Sequence, residues 1–246
     1  MYSNLLGEFL GTMTLVSFGD GVVANLLLKD SKGNGAGWVH ICWGWAFSVM
    51  MGIFVAIAYG APQADINPAV TIFKLLAIGG TYTVPQAVLT VIAQVAGGVA
   101  GGVIVFLLYS NHWAATDNPG LKLAVFSTGP GRRSLGANFI TEVIATIFLI
   151  MGIMCIFHLN SGIGGASPNM GPFMVAGLIY VLGSAMGGPT GYALNPARDM
   201  GPRIAHAILP IPGKGSNDWQ YGLTVATAGP VVAAFICVFL YTLSGF

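Results

Sequence analysis

Six long, almost uncharged stretches limit what this chain can fold into. They run roughly Leu5–Leu28, Trp38–Ala61, Gln86–Tyr109, Ala137–Phe157, Pro172–Leu194 and Tyr221–Phe246. Each reaches the ~20 residues that a helix needs to cross a hydrocarbon core about 30 Å thick. In lipid the backbone must satisfy its own hydrogen bonds, and an apolar run of this length does so as a helix. Four of the six contain no Asp, Glu, Lys or Arg; the first and fourth each carry a Glu. At 55% hydrophobic and 7% charged, the chain has about a quarter of the charge of an ordinary soluble domain. It cannot solvate a globule of this size, and it reads as an all-α integral membrane protein. Met1 to Asn4 lack a basic n-region, and the first apolar run is too long for a cleavable signal. A net charge of +1 gives no reason to expect nucleic acid as a partner. Cys42, Cys155 and Cys237 lie far apart in apolar sequence and predict neither a disulfide nor a metal framework.

Two shorter segments break the spanning pattern. Asn67-Pro68-Ala69-Val70-Thr71 and Asn195-Pro196-Ala197-Arg198-Asp199 are versions of one phrase. Asn is a favoured N-cap, and proline suits the first helical position because its missing N–H costs nothing there. Each phrase therefore starts a helix, Asn67 to Ile78 and Asn195 to Leu209. These are only roughly 15–20 Å long, about half a bilayer core. Set tip to tip, two such half-helices make one crossing and aim two positive dipole ends at the midplane.

The chain also repeats itself. Asn4-x-x-x-Glu8-x-x-x-Thr12 recurs as Asn138-x-x-x-Glu142-x-x-x-Thr146, and each is followed two spans later by its Asn-Pro-Ala phrase. A repeat of three spans and one half-helix has an odd number of crossings, so the second copy is inverted. Broken helices in inverted repeats are the layout of solute pathways, with the site near the midplane. The fold expected is one domain, 1–246, of six transmembrane helices plus two re-entrant half-helices, in repeats of approximately 1–115 and 136–246. Gly97, Gly98, Gly101 and Gly102 form two overlapping small-x-x-x-small pairs that let the third span approach a neighbour closely. Gly229-Pro230 is expected to bend the sixth span.

The paired Asn-Pro-Ala phrases, with six flanking spans over nearly the whole chain, resemble the aquaporin superfamily. The run Asn195-Pro196-Ala197-Arg198-Asp199-Met200-Gly201-Pro202-Arg203 is similar to its glycerol-facilitator branch. The resemblance implies a pore lined by Asn67, Pro68, Ala69, Asn195, Pro196 and Ala197, with the Asn amides donating to passing oxygens. It implies a selectivity filter of four residues, here Trp43, Gly183, Tyr192 and Arg198. Arg198 stands out without the family, because an intramembrane Arg is expensive and marks function by default. An ion pair with Asp199 is the plainer alternative, although Arg203, at i+4, suits Asp199 better. Water-selective relatives have His where Gly183 stands, so a wider, amphipathic slot is expected. Glycerol facilitators more often have Phe where Tyr192 stands, and its hydroxyl makes this filter more polar.

Glu8 and Glu142 admit two readings. Buried carboxylates in transporters carry protons; the resemblance instead implies that each accepts N–H bonds from a re-entrant loop. Asp65 departs from the family, which has His two residues before the first Asn, and is a pore-vestibule candidate. His40, His112, His158 and His206 show no metal-ligand spacing, and no metal or cofactor is predicted. There is no H-E-x-x-H or G-x-S-x-G, and Gly213-Lys214-Gly215 is not a phosphate loop, so no enzyme is expected.

The functional expectation is a passive channel for small uncharged solutes. Glycerol and water come first, then related polyols, dihydroxyacetone, urea and protonated small organic acids such as lactic acid. The alternative is a proton-coupled secondary transporter using Glu8 or Glu142. The resemblance implies a homotetramer in the cell membrane, one pore per chain. It also places both termini in the cytoplasm, and that orientation is adopted here. Lys29, Lys32, Lys122, Arg132, Arg133 and Lys214, all in the first, third and fifth connectors, favour the reverse under the positive-inside rule.

Overall fold

A computed structural model describes residues 2–157 and 170–244; His158 and the last two residues of the sixth predicted span lie outside them. In chain order the helices are α1 (Tyr2–Leu27), α2 (Trp38–Ala58), α3 (Pro68–Ala77), α4 (Val84–Leu108), α5 (Pro119–Phe126), α6 (Leu135–Phe157), α7 (Gly171–Met186), α8 (Pro196–Ile208) and α9 (Trp219–Ser244). No strand occurs among the described residues. Five helices, α1, α2, α4, α6 and α9, are long and apolar enough to cross a bilayer. The fifth predicted span is the shorter α7, and it stops at Met186 rather than running on to Leu194. Pro189 limits it, since the residue before a proline is pushed out of the helical region and Pro itself cannot continue a helix. The chain from 187 to 195 then returns inward without helical structure, as 59 to 66 does in the first half.

Both half-helices start where the Asn-Pro phrases predict. Asn67 accepts from Ala69 N–H at 2.9 Å, and Asn195 from Ala197 and Arg198 N–H at 2.9 and 3.2 Å. A third such phrase, Asn118-Pro119, opens α5 in the connector between α4 and α6, its side chain accepting from Gly120 N–H at 2.8 Å.

The four glycines of α4 serve two neighbours. A Cβ on Gly97 would stand 2.3 Å from the Phe9 carbonyl oxygen, and one on Gly101 2.7 Å from Val16, both on α1. A Cβ on Gly98 would stand 2.5 Å from the Ala197 carbonyl oxygen, and one on Gly102 2.8 Å from Ala205, both on α8. One glycine stripe thus packs α4 on the first span, and the other seats the second half-helix. In α9 the disturbance expected at Gly229-Pro230 appears one turn earlier, as a π-helical stretch over Gly222–Thr227. Pro230 lacks the N–H that would bond residue 226, and a widened turn absorbs that gap.

The first, third and fifth connectors meet on one side. Lys29 N–H donates to Thr116 Oγ1 at 3.0 Å, Lys122 Nζ to the Pro212 carbonyl, and Arg133 pairs with Asp218 at 2.6 Å. Lys214 Nζ donates to the His206, Ala207 and Leu209 carbonyls, closing the C-terminus of α8. Tyr2 and Ser244 lie on the opposite side, because five of the elements between them cross and α7 makes the sixth traverse.

Candidate functional site

The tips of α3 and α8 meet in the interior and brace each other. Asn67 Nδ2 donates to the Leu194 carbonyl at 3.0 Å, and Asn195 Nδ2 donates to the Ile66 carbonyl at 2.7 Å. Each Asn therefore caps its own helix with its oxygen and ties the opposite loop with one N–H. An amide carries two N–H donors, so one remains on each, not the whole NH₂ group. Both side chains line a cavity of about 410 Å³ that runs past the two loops from Arg198 to Lys74.

The loops entering these tips share an unusual backbone. Ala64 and Ile66 have φ of 42° and 43°, and Tyr192 and Leu194 have 42° and 55°. Left-handed non-glycine residues cost on the order of 1–3 kcal/mol each and persist where surroundings enforce them. The two buried carboxylates do this. Glu8 accepts from Asp65 and Ile66 N–H at 2.8 and 2.7 Å, and Glu142 accepts from Ala193 and Leu194 N–H at 2.9 Å each. Both are fully buried and neither lines the cavity. The loop N–H groups thus point away from the lumen.

Arg198 is freed by its neighbours. Asp199 pairs with Arg203 at 2.8 Å, as the i+4 spacing predicts, and also accepts Thr128 N–H and Oγ1–H at 2.8 and 2.7 Å. Arg203 donates further to the Asn217 and Thr128 carbonyls. With that pair closed, the Arg198 guanidinium lies 3.9 Å from the centroid of Trp45, and its Nη1 has no hydrogen-bond partner among the described residues. That nitrogen is buried and unbonded, while the Arg198 side chain itself borders the cavity.

Two filter expectations need correction. Trp43 does not reach the cavity: it is 47% exposed, stacks on Phe47 and packs at a tilt against Tyr180 on the outer surface. Trp45, two residues on, is the aromatic beside Arg198, because it shares the buried face of α2 with Ile41, Cys42, Ser48 and Gly52. Gly19 on α1 leaves room for its ring, a Cβ there falling 2.3 Å from Trp45. Gly183 does not border the lumen directly either. A Cβ there would meet Tyr192 Cζ at 2.7 Å and its hydroxyl oxygen at 2.8 Å. Gly183 and Gly187 form the seat of the Tyr192 ring, whose other flank meets Trp38 edge-on at 5.8 Å. Trp38 Nε1 in turn donates to the Gly183 carbonyl at 3.0 Å.

At the other end, Asp65 is buried and fully engaged. Its Oδ2 accepts from Thr71 and Tyr82 at 2.9 and 2.8 Å, and its Oδ1 pairs with Lys74 at 2.5 Å. Burial, and then the Asp65 carboxylate, hold the Tyr82 phenol above its ordinary value, so it stays a donor. Lys74 and Tyr82 had no part in the sequence reading. Nor did Asp20, a second fully buried acid on α1, neither of whose oxygens has a partner among the described residues.

Comparison with known proteins agrees with this geometry. The family model described as major intrinsic protein matches residues 1–241. A "Probable glycerol uptake facilitator protein" of Thermotoga maritima is 45% identical, over 96% of this chain and 97% of its own. A "D/L-lactic acid transporter" of Lactiplantibacillus plantarum is 39% identical, over 96% of this chain and 95% of its own. The crystal structure of the aquaglyceroporin from Plasmodium falciparum superposes with a TM-score of 0.85 at 26% identity, covering 98% of this chain and 95% of that one. The chain is a multi-pass integral membrane protein of the major intrinsic protein family, the aquaporins.

Proposed function

We propose that this chain is a passive channel in the cell membrane for glycerol, water and related small uncharged solutes, and has no enzymatic activity. One observation carries the reading. A single cavity is bordered by the Asn67, Asn195 and Arg198 donors and by apolar side chains such as Val49, Ile53 and Val175. A polyol turns its hydroxyls to the donors and its carbons to the apolar side chains. Glycerol is named first because the Thermotoga relative carries that name, and lactic acid is included because the Lactiplantibacillus relative carries that one. The filter is taken as Trp45, Tyr192 and Arg198, with Gly183 as the seat of Tyr192. The matched backbones and matched carboxylates of the two loops support one domain of two inverted repeats. Four such chains, each with its own pore, are expected to assemble on the family resemblance.

Stopped-flow light scattering of proteoliposomes tests the function directly: glycerol and water flux should both exceed that of protein-free liposomes. Arg198→Ala should then raise proton or cation leak while leaving the protein folded. It removes a fixed positive charge from a water-poor constriction, where charge acts far more strongly than in bulk water. An unchanged ion leak from a folded variant would refute the filter role.

Proton coupling through Glu8 or Glu142 is the competing reading. Two backbone N–H bonds on each acid, and their distance from the lumen, favour a scaffolding role instead. Glu142→Gln replaces two acceptor oxygens by one and sets an amide N–H against the Leu194 N–H. The expected cost is about 1–3 kcal/mol, seen as a lower melting temperature in detergent. Downhill flux should stay indifferent to an imposed pH gradient in parent and variant alike. Solute uptake driven by a pH gradient in the parent and lost in Glu142→Gln would favour the transporter.

A further inference from the structure

We propose that the Lys74 ammonium is a solute-contacting selectivity group at the mouth opposite Arg198, with Asp65 as its positioning residue; this rests on the channel reading above. A basic residue near the end of a half-helix ordinarily solvates the last carbonyls. Lys214 does so for α8, through the His206, Ala207 and Leu209 carbonyls. Lys74 occupies the last turn of α3 and does something else. Its Nζ folds back against the helix direction to Asp65 Oδ1 at 2.5 Å, and to Gln63 O and Oε1 at 3.1 Å each. Lys74, Gln63 and Asp65 all border the cavity there.

The ammonium is held at that place from behind. Asp65 has no exposed side-chain surface, and Thr71 and Tyr82 fix its second oxygen. Gln94 bridges Thr71 to Glu8 at 3.0 and 2.8 Å, so the anchor continues into the group that shapes the loop. If Lys74 swung away, a buried carboxylate would lose its one ion-pair partner among the described residues, which is strongly disfavoured. Lys74 thus presents a fixed positive group to the lumen.

An ammonium has three donors, and here two go to fixed acceptors, Asp65 and a main-chain carbonyl. The third goes to the side-chain amide of Gln63, an exposed residue whose Oε1 is free to leave. A hydroxyl or carboxylic acid oxygen entering this mouth takes that place on Nζ. Charge-assisted hydrogen bonds are the stronger kind, so the exchange favours solutes that offer an acceptor oxygen. The path is then a series of donors: Lys74, the remaining N–H of Asn67 and of Asn195, and Arg198.

The test is the ratio of glycerol to water flux in proteoliposomes with three variants. Lys74→Met is made together with Asp65→Asn, so that no buried acid is left unpaired. It should lower the ratio by on the order of fivefold, the effect of losing one charged hydrogen bond at a partly hydrated site. Lys74→Arg should keep the ratio within about twofold of the parent, because it keeps the charge and the donors. Gln63→Ala removes only the competing acceptor at an exposed position, and should lower the glycerol concentration that half-saturates flux by about threefold. Equal losses of water and glycerol in the Lys74 double variant, or a Gln63→Ala variant indistinguishable from the parent, would overturn the proposal. Absence of glycerol flux in the parent would instead refute the channel reading.

Discussion

Gly183→Ala should cut glycerol flux at least about tenfold while reducing water flux far less. Even one methyl at this position would lie 2.7 Å from Tyr192 Cζ and 3.0 Å from Cys42 Sγ. Contacts that short do not persist, and overpacking of this kind costs ~1–3 kcal/mol in a rigid site. Cys42 is on a packed helix, and Trp38 closes the far flank of the ring. The open direction is the lumen, so the ring moves into it. A barrier raised by ~1.4 kcal/mol slows passage about tenfold, and a narrowed slot hinders a three-carbon solute before it hinders water. Gly183→His adds a polar ring and should act in the same direction, more strongly. The second-site variant Tyr192→Ala should restore glycerol passage in Gly183→Ala, because it removes the displaced group. Equal loss of both solutes in a folded Gly183→Ala protein, or no rescue by Tyr192→Ala, would refute the seat.

The same position shows how far the residues speak for themselves. The two half-helices were legible because an Asn cap before a Pro is a local rule, obeyed wherever the phrase occurs. It holds for Asn67 and Asn195, and equally for Asn118, which opens α5. The repeat was legible because Glu8 and Glu142 are costly in an apolar run and must recur for a reason. Which side of α2 faces inward was not. α2 is apolar all round, and a membrane helix faces lipid on one side and protein on the other, so hydrophobicity does not separate Trp43 from Trp45. The packing of one face of α2 on its neighbours, with Gly19 leaving room for the ring, selects Trp45. Lys74 was invisible for a related reason. Its role comes from a side chain folded back nine residues to Asp65, a contact no helical periodicity describes.

The connector charges are a case of one signal serving two purposes. Lys122, Arg133 and Lys214 favoured an orientation opposite to that of the family. In the structure each is engaged by a specific partner, the Pro212 carbonyl, the Asp218 carboxylate and the end of α8. Burial of Lys122 and the triple capping by Lys214 are demands of the fold. The positive-inside rule counts charges as free, and here half of the six are spoken for by local structure. Each of these three charges therefore has a structural reason to stand in its connector, independent of which side faces the cytoplasm.

Lactic acid should cross this channel only in its protonated form, and its flux at fixed total acid should fall about a hundredfold from pH ~5 to pH ~7. An acid with a pKa near ~4 is about one-tenth neutral at pH ~5 and about one-thousandth neutral at pH ~7. The channel makes that neutral fraction decisive. Two half-helix tips place roughly +0.5 charge each at the centre of the path, and Arg198 adds a full charge. At the other mouth the Lys74 ammonium and its counter-ion Asp65 both border the cavity, so the net positive field comes from the two tips and Arg198. Cations are repelled there. A lactate anion meets the opposite sign, but it must shed its hydration shell, and then pairs with the Arg198 guanidinium that borders the cavity. Such an anion is held rather than passed. The neutral acid avoids both penalties and still offers oxygens to Asn67, Asn195 and Arg198. Glycerol has nothing to titrate in this range, so its flux should stay flat across the same pH series, with protein-free liposomes as the control for acid crossing lipid. Adding lactate at pH ~7 should also slow glycerol flux in the parent and do so less in Arg198→Ala. Acid flux that holds constant from pH ~5 to ~7, or that carries current, would rule out passage of the neutral form alone.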